Sequence, residues 1–311
     1  MTPSIGISIY PQDGDIAEIL MKHADIAMFR AKEMGRNNFQ FYAPEMNDKA
    51  QYRLSLEYGL RKAIEREEFL VYYQPKVDLK TGQIIGMEAL VRWLHPEYGL
   101  VSPADFIPLA EDTGLIIALG DWVLLKSCEQ NVVWQEMGFD PLHLAVNLSG
   151  RQFQQEDLLS TIQKILLQSG MSAKWLELEL TESIIMHDPE SAQKTLKQIK
   201  EMGISLSIDD FGTGYSSLAY LKKFPLDVLK IDQSFVRDIC NNNDDAAIVV
   251  AIIEMAHSLQ LSVIAEGVSE LDQLKYLTEH DCDMMQGFYF SKPVPASEFT
   301  ALLEEKKKLE T

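Results

Sequence analysis

The chain has few of the residues that build thiol or imidazole chemistry. Its 3 cysteines in 311 residues, Cys128, Cys240 and Cys282, are odd in number, far apart and never in a CxxC spacing. A zinc cage or disulfide framework is therefore not expected, the cysteines read as small buried side chains, and a reducing cytoplasm fits. The 6 histidines (His23, His95, His143, His187, His257 and His280) show no ligand spacing and read as structural. No apolar run reaches the ~18 residues of a membrane span, and the N-terminus lacks the basic-then-apolar pattern of a leader. The chain as given is expected to be soluble. Positive charge is also scarce, because 28 Lys and Arg face 47 Asp and Glu for a net −19. So acidic a surface argues against non-specific binding of DNA or RNA duplexes and of anionic membranes. An anionic substrate would need metal ions or a local basic residue to hold it.

What remains suffices for a large core, since 46% of the residues are hydrophobic. The length allows one large domain and a small one. Within residues 1–43, SIGISIY (4–10) alternates like a strand. ILMKHADIAMFRAKEMGRN (19–37) has helical spacing and stops at Gly35, and FQFY (39–42) reads as a second strand. About forty residues of strand, helix and strand cannot bury a core alone, so this piece belongs to something larger. Residues 44–68 read as a charged connecting helix with Leu54, Leu56, Leu60 and Ile64 available to pack.

From residue 69 to 311 strands and helices alternate. Apolar runs stand at 69–75, 83–93, 142–149, 176–183, 204–210, 227–232, 261–267 and 284–291, and helical stretches at 103–138, 155–169, 189–202, 215–223, 244–259 and 269–279. Eight strands with intervening helices favour an α/β fold of the β/α barrel kind. A doubly wound sheet is the alternative, because the first two runs look like a hairpin joined by KTGQ. Most of these runs end in a carboxylate or amide: Glu88, Asn147, Glu179, Asp209 with Asp210, Lys230 with Asp232, Glu266 and Gln286. One carboxylate at a strand end is ordinarily a helix N-cap. In a barrel, however, these ends converge on the face where active sites lie. An oxygen-rich set without histidine or thiolate suits Mg²⁺ or Mn²⁺, and it is large enough for two ions.

Several segments are more specific than this pattern. From about residue 55 to 305 the chain resembles the EAL domain family, the cyclic di-GMP phosphodiesterases. The signature Glu88-Ala89-Leu90 stands in GMEALVRW, followed in order by VNLS, ELTES, DDFGTGYSSL, LKID, AEGV and MQGFYFSKP. ADIAMFRAKEMGRN resembles the last helix of a GGDEF (diguanylate cyclase) domain, with Phe29 where tyrosine is usual. The GGDEF signature itself is absent, so no cyclase activity is expected from this segment. The two resemblances imply a modified, TIM-like barrel of the EAL type whose first strand runs antiparallel to the rest, preceded by a strand-helix-strand remnant. They also imply upstream GGDEF and sensory regions in a longer parent protein, which could carry a membrane anchor.

For function the resemblance implies metal-dependent hydrolysis of cyclic di-GMP to linear pGpG, with a non-cleaving cyclic di-GMP receptor as the alternative. Carried over by position, Glu88, Asn147, Glu179, Asp209, Asp210 and Glu266 would hold two Mg²⁺ or Mn²⁺ ions. Lys230 would contact the attacking water or the phosphate, supported by Asp232. Gln286 would position the water, and Arg92 and Leu90 would meet the substrate. Glu182 would anchor the loop that starts with Phe211, Gly212, Thr213 and Gly214, next to which a homodimer would form. One departure stands out: after AEGV the family usually continues Glu-Thr, and this chain has Ser269-Glu270.

Overall fold

The computed structural model describes residues 2–212 and 218–309. They form two compact units, one running to Arg66 and including Ala104–Leu109, the other made of Glu67–Pro103 and the chain from Ala110 onward.

In the first unit β1 (Ile5–Ile7) pairs in parallel with β2 (Phe39–Phe41), Ile5 opposite Phe39. Parallel neighbours need a crossover, and α1 (Ala17–Glu33) supplies it. Gly6 sets how closely that helix packs. A Cβ there would lie 1.9 Å from the Ala24 carbonyl oxygen and 2.1 Å from the Met28 nitrogen. Ala27 and Ala31 of α1 are correspondingly small and fully buried. Beyond α1 the chain turns through Gly35, whose φ of +95° is the left-handed conformation expected after a helix end. α2 (Glu45–Ala63) follows, and its Arg53 guanidinium sits 4.4 Å from the Phe29 ring centroid.

The second unit begins with a hairpin. β3 (Phe69–Asp78) turns through Lys80–Gly82 into β4 (Ile84–His95). The turn is closed by the Asp78 carboxylate, which accepts from the Thr81 amide and hydroxyl, each at 2.7 Å, and Gly82 takes φ +68°. The chain continues through β5 (Gly99–Val101), α3 (Pro103–Thr113), α4 (Ile116–Glu136), β6 (His143–Asn147), α5 (Gly150–Phe153) and α6 (Leu158–Ser169). Next come β7 (Leu176–Thr181), α7 (Glu182–His187), α8 (Pro189–Glu201), β8 (Ser205–Phe211) and α9 (Leu218–Leu221). It ends with β9 (Val228–Ile231), α10 (Gln233–Arg237), α11 (Asn243–Ser258), β10 (Ser262–Ala265), α12 (Leu271–Glu279), β11 (Met284–Met285), β12 (Val294–Pro295) and α13 (Ala296–Glu304).

Strands β4, β6, β7, β8, β9, β10 and β11 follow one another in parallel pairs. β3 pairs antiparallel with both β4 and β11 and so closes the barrel. This double pairing decides for the barrel over an open doubly wound sheet, and the reversed first strand is the one the family resemblance implied. The wall is apolar, with Leu144, Leu178, Leu206, Leu229 and Val263 fully buried. Tyr73 of β3, Trp134 and Phe299 meet in series, edge-on and then tilted, with ring centroids 4.9 and 5.0 Å apart. Among the described residues no helix is long and apolar enough to cross a membrane.

Three details differ from the sequence expectation. The single helix expected over 103–138 is two helices, broken at Gly114 with φ +80°. The run at 284–291 pairs only over Met284–Met285, because Gly287 lies against Val268 so closely that a Cβ would meet its carbonyl oxygen at 2.0 Å. Cys240 is exposed, whereas Cys128 and Cys282 are buried as expected. Burial pushes the Cys128 and Cys282 thiols up to about 12. At pH 8 the native protein should therefore show one thiol reactive towards a disulfide reagent, and Cys240→Ser should remove it. Denaturation should expose all 3. Rapid labelling of the native Cys240→Ser variant would contradict this packing.

Candidate active site

The barrel strands bring most of the singled-out polar residues to one mouth. Glu88 lies inside β4, where the parallel pairing with β6 ends, since that ladder covers only Gly86–Ala89. Beyond it β4 continues as an antiparallel pair with β5. Asn147 ends β6, Glu179 and Asp209 lie near the ends of β7 and β8, and Lys230 is on β9. Glu266 and Gln286 each follow the last residue of their strand, β10 and β11.

Lys230 is the centre of the arrangement, with 0% of its surface exposed. Its Nζ lies 2.7 Å from Glu266 Oε1, 2.8 Å from Glu179 Oε2, 3.1 Å from Asp209 Oδ1 and 3.8 Å from Glu88 Oε2. Glu88 is fixed by amides: Asn147 Nδ2 donates to its Oε1 at 2.6 Å and Gln286 Nε2 to its Oε2 at 2.5 Å. Gln286 Nε2 also donates to Gln74 Oε1 at 3.0 Å. Deeper in the barrel Lys76 of β3 donates to Glu177 Oε1 at 2.7 Å and Glu179 Oε1 at 2.8 Å.

Electrostatics follow from one ammonium shared among several carboxylates. Burial alone would depress Lys230, but Glu179, Glu266, Glu88 and Asp209 together raise it well above its ordinary value. Burial would raise Glu179, yet Lys230 and Lys76 pull it down to about 2. Glu88 is pushed up to about 7 by burial and by Glu179, against the pull of Lys230. Burial likewise raises Glu266 to about 8. Asp210 is also raised, by burial and by the neighbouring Asp209 carboxylate. Its backbone has φ +54°, and its amide donates to Asp209 Oδ1 at 2.9 Å. That conformation turns two consecutive carboxylates of a strand towards one region.

The donor set fits a hard cation. Asp209, Asp210 and Glu266 each offer an oxygen, all within 4.8 Å of one another. No soft donor stands among them, and oxygen-only sites match Mg²⁺, Mn²⁺ or Ca²⁺. Gln286 Oε1 adds a buried acceptor with no protein partner, an atom that costs free energy unless a donor reaches it.

Arg92 is half-buried on β4, its guanidinium 5.4 Å from the Tyr72 ring centroid and its Nη1 donating to the Val91 carbonyl at 2.9 Å. Leu90 is half-buried on the same strand. Asp232 caps α10, accepting from the Ser234 amide at 2.9 Å and from the Ser234 hydroxyl, and it also meets Asp210. Its carboxylate is thus spent on these groups, where support for Lys230 had been expected. Buried Glu182 opens α7 and accepts from the Gly212 amide at 3.4 Å, and Phe211 is buried. Thr213 and Gly214 lie outside the described residues. Ser269, at the position where the sequence departs from the family, donates its amide to Gln273 Oε1 at 2.8 Å, and the Glu270 amide donates there at 3.0 Å. Glu270 and Gln273 form a capping box at the start of α12.

Sequence reasoning missed Gln74, Lys76 and Glu177. The signal for them was alternation. Gln74 and Lys76 share one face of an otherwise apolar strand, as do Glu177 and Glu179.

A closed β/α barrel with a reversed first strand and a carboxylate-lined mouth around a buried lysine defines the structural class. Residues 58–293 match the family model described as the EAL domain, and the chain belongs to that family. Residues 1–38 match the model described as the diguanylate cyclase, GGDEF domain. The chain is 44% identical over 301 residues to the bifunctional diguanylate cyclase/cyclic di-GMP phosphodiesterase MucR of Pseudomonas aeruginosa, covering 97% of this chain and 44% of MucR. It is 41% identical over 296 residues to the cyclic di-GMP phosphodiesterase PdeR of Escherichia coli, covering 95% of this chain and 44% of PdeR. The chain therefore spans less than half the length of these curated relatives. The solved structure of the PaMucR phosphodiesterase in complex with c-di-GMP is 44% identical, with a TM-score of 0.77, covering 79% of this chain and 99% of that one.

The raised carboxyls make a pH prediction with a definite sign. Glu88 and Glu266 shift from an ordinary 4.5 to about 7 and about 8 in the folded chain. Between those values the folded state binds more protons than the unfolded state, so metal-free stability should fall as pH rises from about 4.5 through 8. Glu179 acts oppositely, and the stability it supplies is lost as pH drops below 4.5 towards 2. Cation binding requires deprotonated carboxylates, so apparent Mn²⁺ affinity should rise over the same interval in which metal-free stability falls. Thermal melts from pH 6 to 9, with EDTA and with Mn²⁺, check both signs. An EDTA melt that stabilises with pH across that range would contradict the assignment.

Proposed function

We propose that this chain hydrolyses one phosphodiester bond of cyclic di-GMP, giving linear pGpG, at a site that holds two Mg²⁺ or Mn²⁺ ions. The observation that carries this reading is the fully buried Lys230 ammonium ringed by Glu88, Glu179, Asp209 and Glu266 at the barrel mouth, beside the unpartnered Gln286 Oε1. Glu88, Asn147, Glu179, Asp209, Asp210 and Glu266 would hold the cations. Bound there, they would supply an acidified water and offset charge developing at phosphorus.

The other steps belong to protein groups. Lys230 keeps its proton, because the carboxylates around it stabilise the ammonium. It therefore serves as a fixed donor towards the water or a phosphate oxygen, and general-base chemistry falls outside its range. Gln286, with Nε2 spent on Glu88 and Gln74, leaves Oε1 to accept from the water and fix its direction. Arg92 uses Nη1 on the Val91 carbonyl and stacks on Tyr72. Its remaining N–H groups are preorganised for a substrate phosphate, next to Leu90. Glu182 tethers Gly212 and so sets where the loop leaves β8.

Incubation with cyclic di-GMP and Mn²⁺ or Mg²⁺ should yield pGpG by chromatography, and EDTA should abolish it. Glu88→Ala should lower the rate by about 10²-fold or more, the scale of losing one group that stabilises the transition state. Lys230→Met should lower the rate while leaving both limbs of the pH–rate profile in place, and a lost limb would make Lys230 the base. Tight nucleotide binding without product under either metal would reassign the chain as a cyclic di-GMP receptor.

A further inference from the structure

Lys76 stands one layer below the mouth, on β3, which runs against β4 and β11 on either side of it. Its Nζ reaches Glu177 and Glu179 at 2.7 and 2.8 Å with 4% of the residue exposed. The two oxygens of Glu179 are thus held by different lysines from different strands, Oε1 by Lys76 of β3 and Oε2 by Lys230 of β9. The β3–β4 register shifts between Lys76 and Val77. The extra residue is Ile85 of β4, so the irregularity lies in the strand opposite Lys76, a device found beside functional sites. Ser207, opposite Glu179 on β8, is also buried, yet its hydroxyl has no partner and takes up neither oxygen.

A buried ion pair is a poor way to hold a barrel together, because apolar side chains of similar size do as well or better. Its use here has another consequence. With Oε1 committed to Lys76, Glu179 cannot turn to chelate through both oxygens, and only Oε2, shared with Lys230 at the level of the other mouth carboxylates, is left to meet a cation. Glu177, two residues earlier on the same face of β7, neutralises Lys76 and stops it from migrating towards the other carboxylates.

We propose that Lys76, held by Glu177, is a positioning residue that locks Glu179 as a one-oxygen ligand at the cation site. This inference rests on the reading of Glu179 as a cation ligand in the proposed phosphodiesterase.

The test compares the parent chain with Lys76→Met and with the double variant Lys76→Met/Glu177→Met, which leaves no orphan charge. Mn²⁺ binding by calorimetry, thermal melts of the metal-free proteins, and kcat and KM for cyclic di-GMP at saturating Mn²⁺ are the readouts. The double variant should melt within a few degrees of the parent and bind Mn²⁺ about 10- to 100-fold more weakly, the usual cost of removing a group that orients a ligand. Its kcat should fall with KM unchanged. Parent-like Mn²⁺ affinity in the double variant overturns the proposal. So does a collapse in its melting temperature, because the pair would then be supporting the barrel. Failure of the phosphodiesterase reading looks different: the parent binds Mn²⁺ but gives no pGpG, while the affinity difference between parent and double variant persists. A parent that binds no Mn²⁺ overturns both.

Discussion

A lysine with none of its surface in water must be compensated where it sits, since an uncompensated ammonium in an apolar interior would lose its proton or unfold its surroundings. Lys230 is compensated by carboxylates from four other strands, and that requirement organises the mouth of the barrel. Glu88, Glu179, Asp209 and Glu266 can meet one Nζ only if β4, β7, β8 and β10 end their ladders in a common plane. Closure is thus an electrostatic matter as well as a hydrogen-bonding one. The reversed β3 contributes to both. It joins β4 to β11, and it carries Gln74 to the level of Glu88 and Lys76 to the level of Gly86, so each amide or ammonium meets a different layer of acids.

The amides act as spacers in this ring. Asn147 and Gln286 each donate to a separate oxygen of Glu88, which orients that carboxylate without adding charge. A lysine in either place would neutralise Glu88 and weaken its preference for a cation. A carboxylate there would add repulsion that Lys230 already fails to offset. Gln286 reaches its position because the chain leaves β11 after two residues and passes tightly by Val268 through Gly287.

Much of this was legible in the sequence. The barrel and the order of the polar strand ends follow from eight apolar runs, and the reversed first strand is what the family resemblance of segments such as GMEALVRW and DDFGTGYSSL implied. Partners within the interior were harder to read. Lys76 and Glu177 look like ordinary charged residues in LVYYQPKVDL and LELELTES, and only the barrel's curvature brings β3 and β7 side chains together. The irregularity in the β3–β4 ladder leaves Ile85 of β4 unpaired beside Gly86, and only a strand glycine in QIIGMEAL hints at it. Asp232 illustrates the opposite case. LKID suggested a carboxylate working with Lys230, but alternation puts the two on the same face only in an extended strand. β9 stops at Ile231, which leaves Asp232 to cap the next helix. The cysteines separate by the same logic: Cys128 and Cys282 fall among apolar neighbours, whereas Cys240 follows the short α10 in a polar turn.

The charge balance of the mouth explains why such a site selects cations. Glu88, Glu177, Glu179, Asp209 and Glu266 are ion-paired to Lys76 and Lys230. Two ammoniums cannot balance five carboxylates, and burial together with that repulsion pushes Glu88 up to about 7 and Glu266 up to about 8. A proton neutralises one oxygen and leaves the neighbouring repulsion in place. A divalent cation neutralises two carboxylates at once and draws their oxygens inwards, so its advantage grows with each acid the barrel forces together. Protons and metal relieve the same repulsion, so they compete for these oxygens and the cation gains as pH rises. A fold that spent more lysines here would be more stable empty and a weaker cation binder.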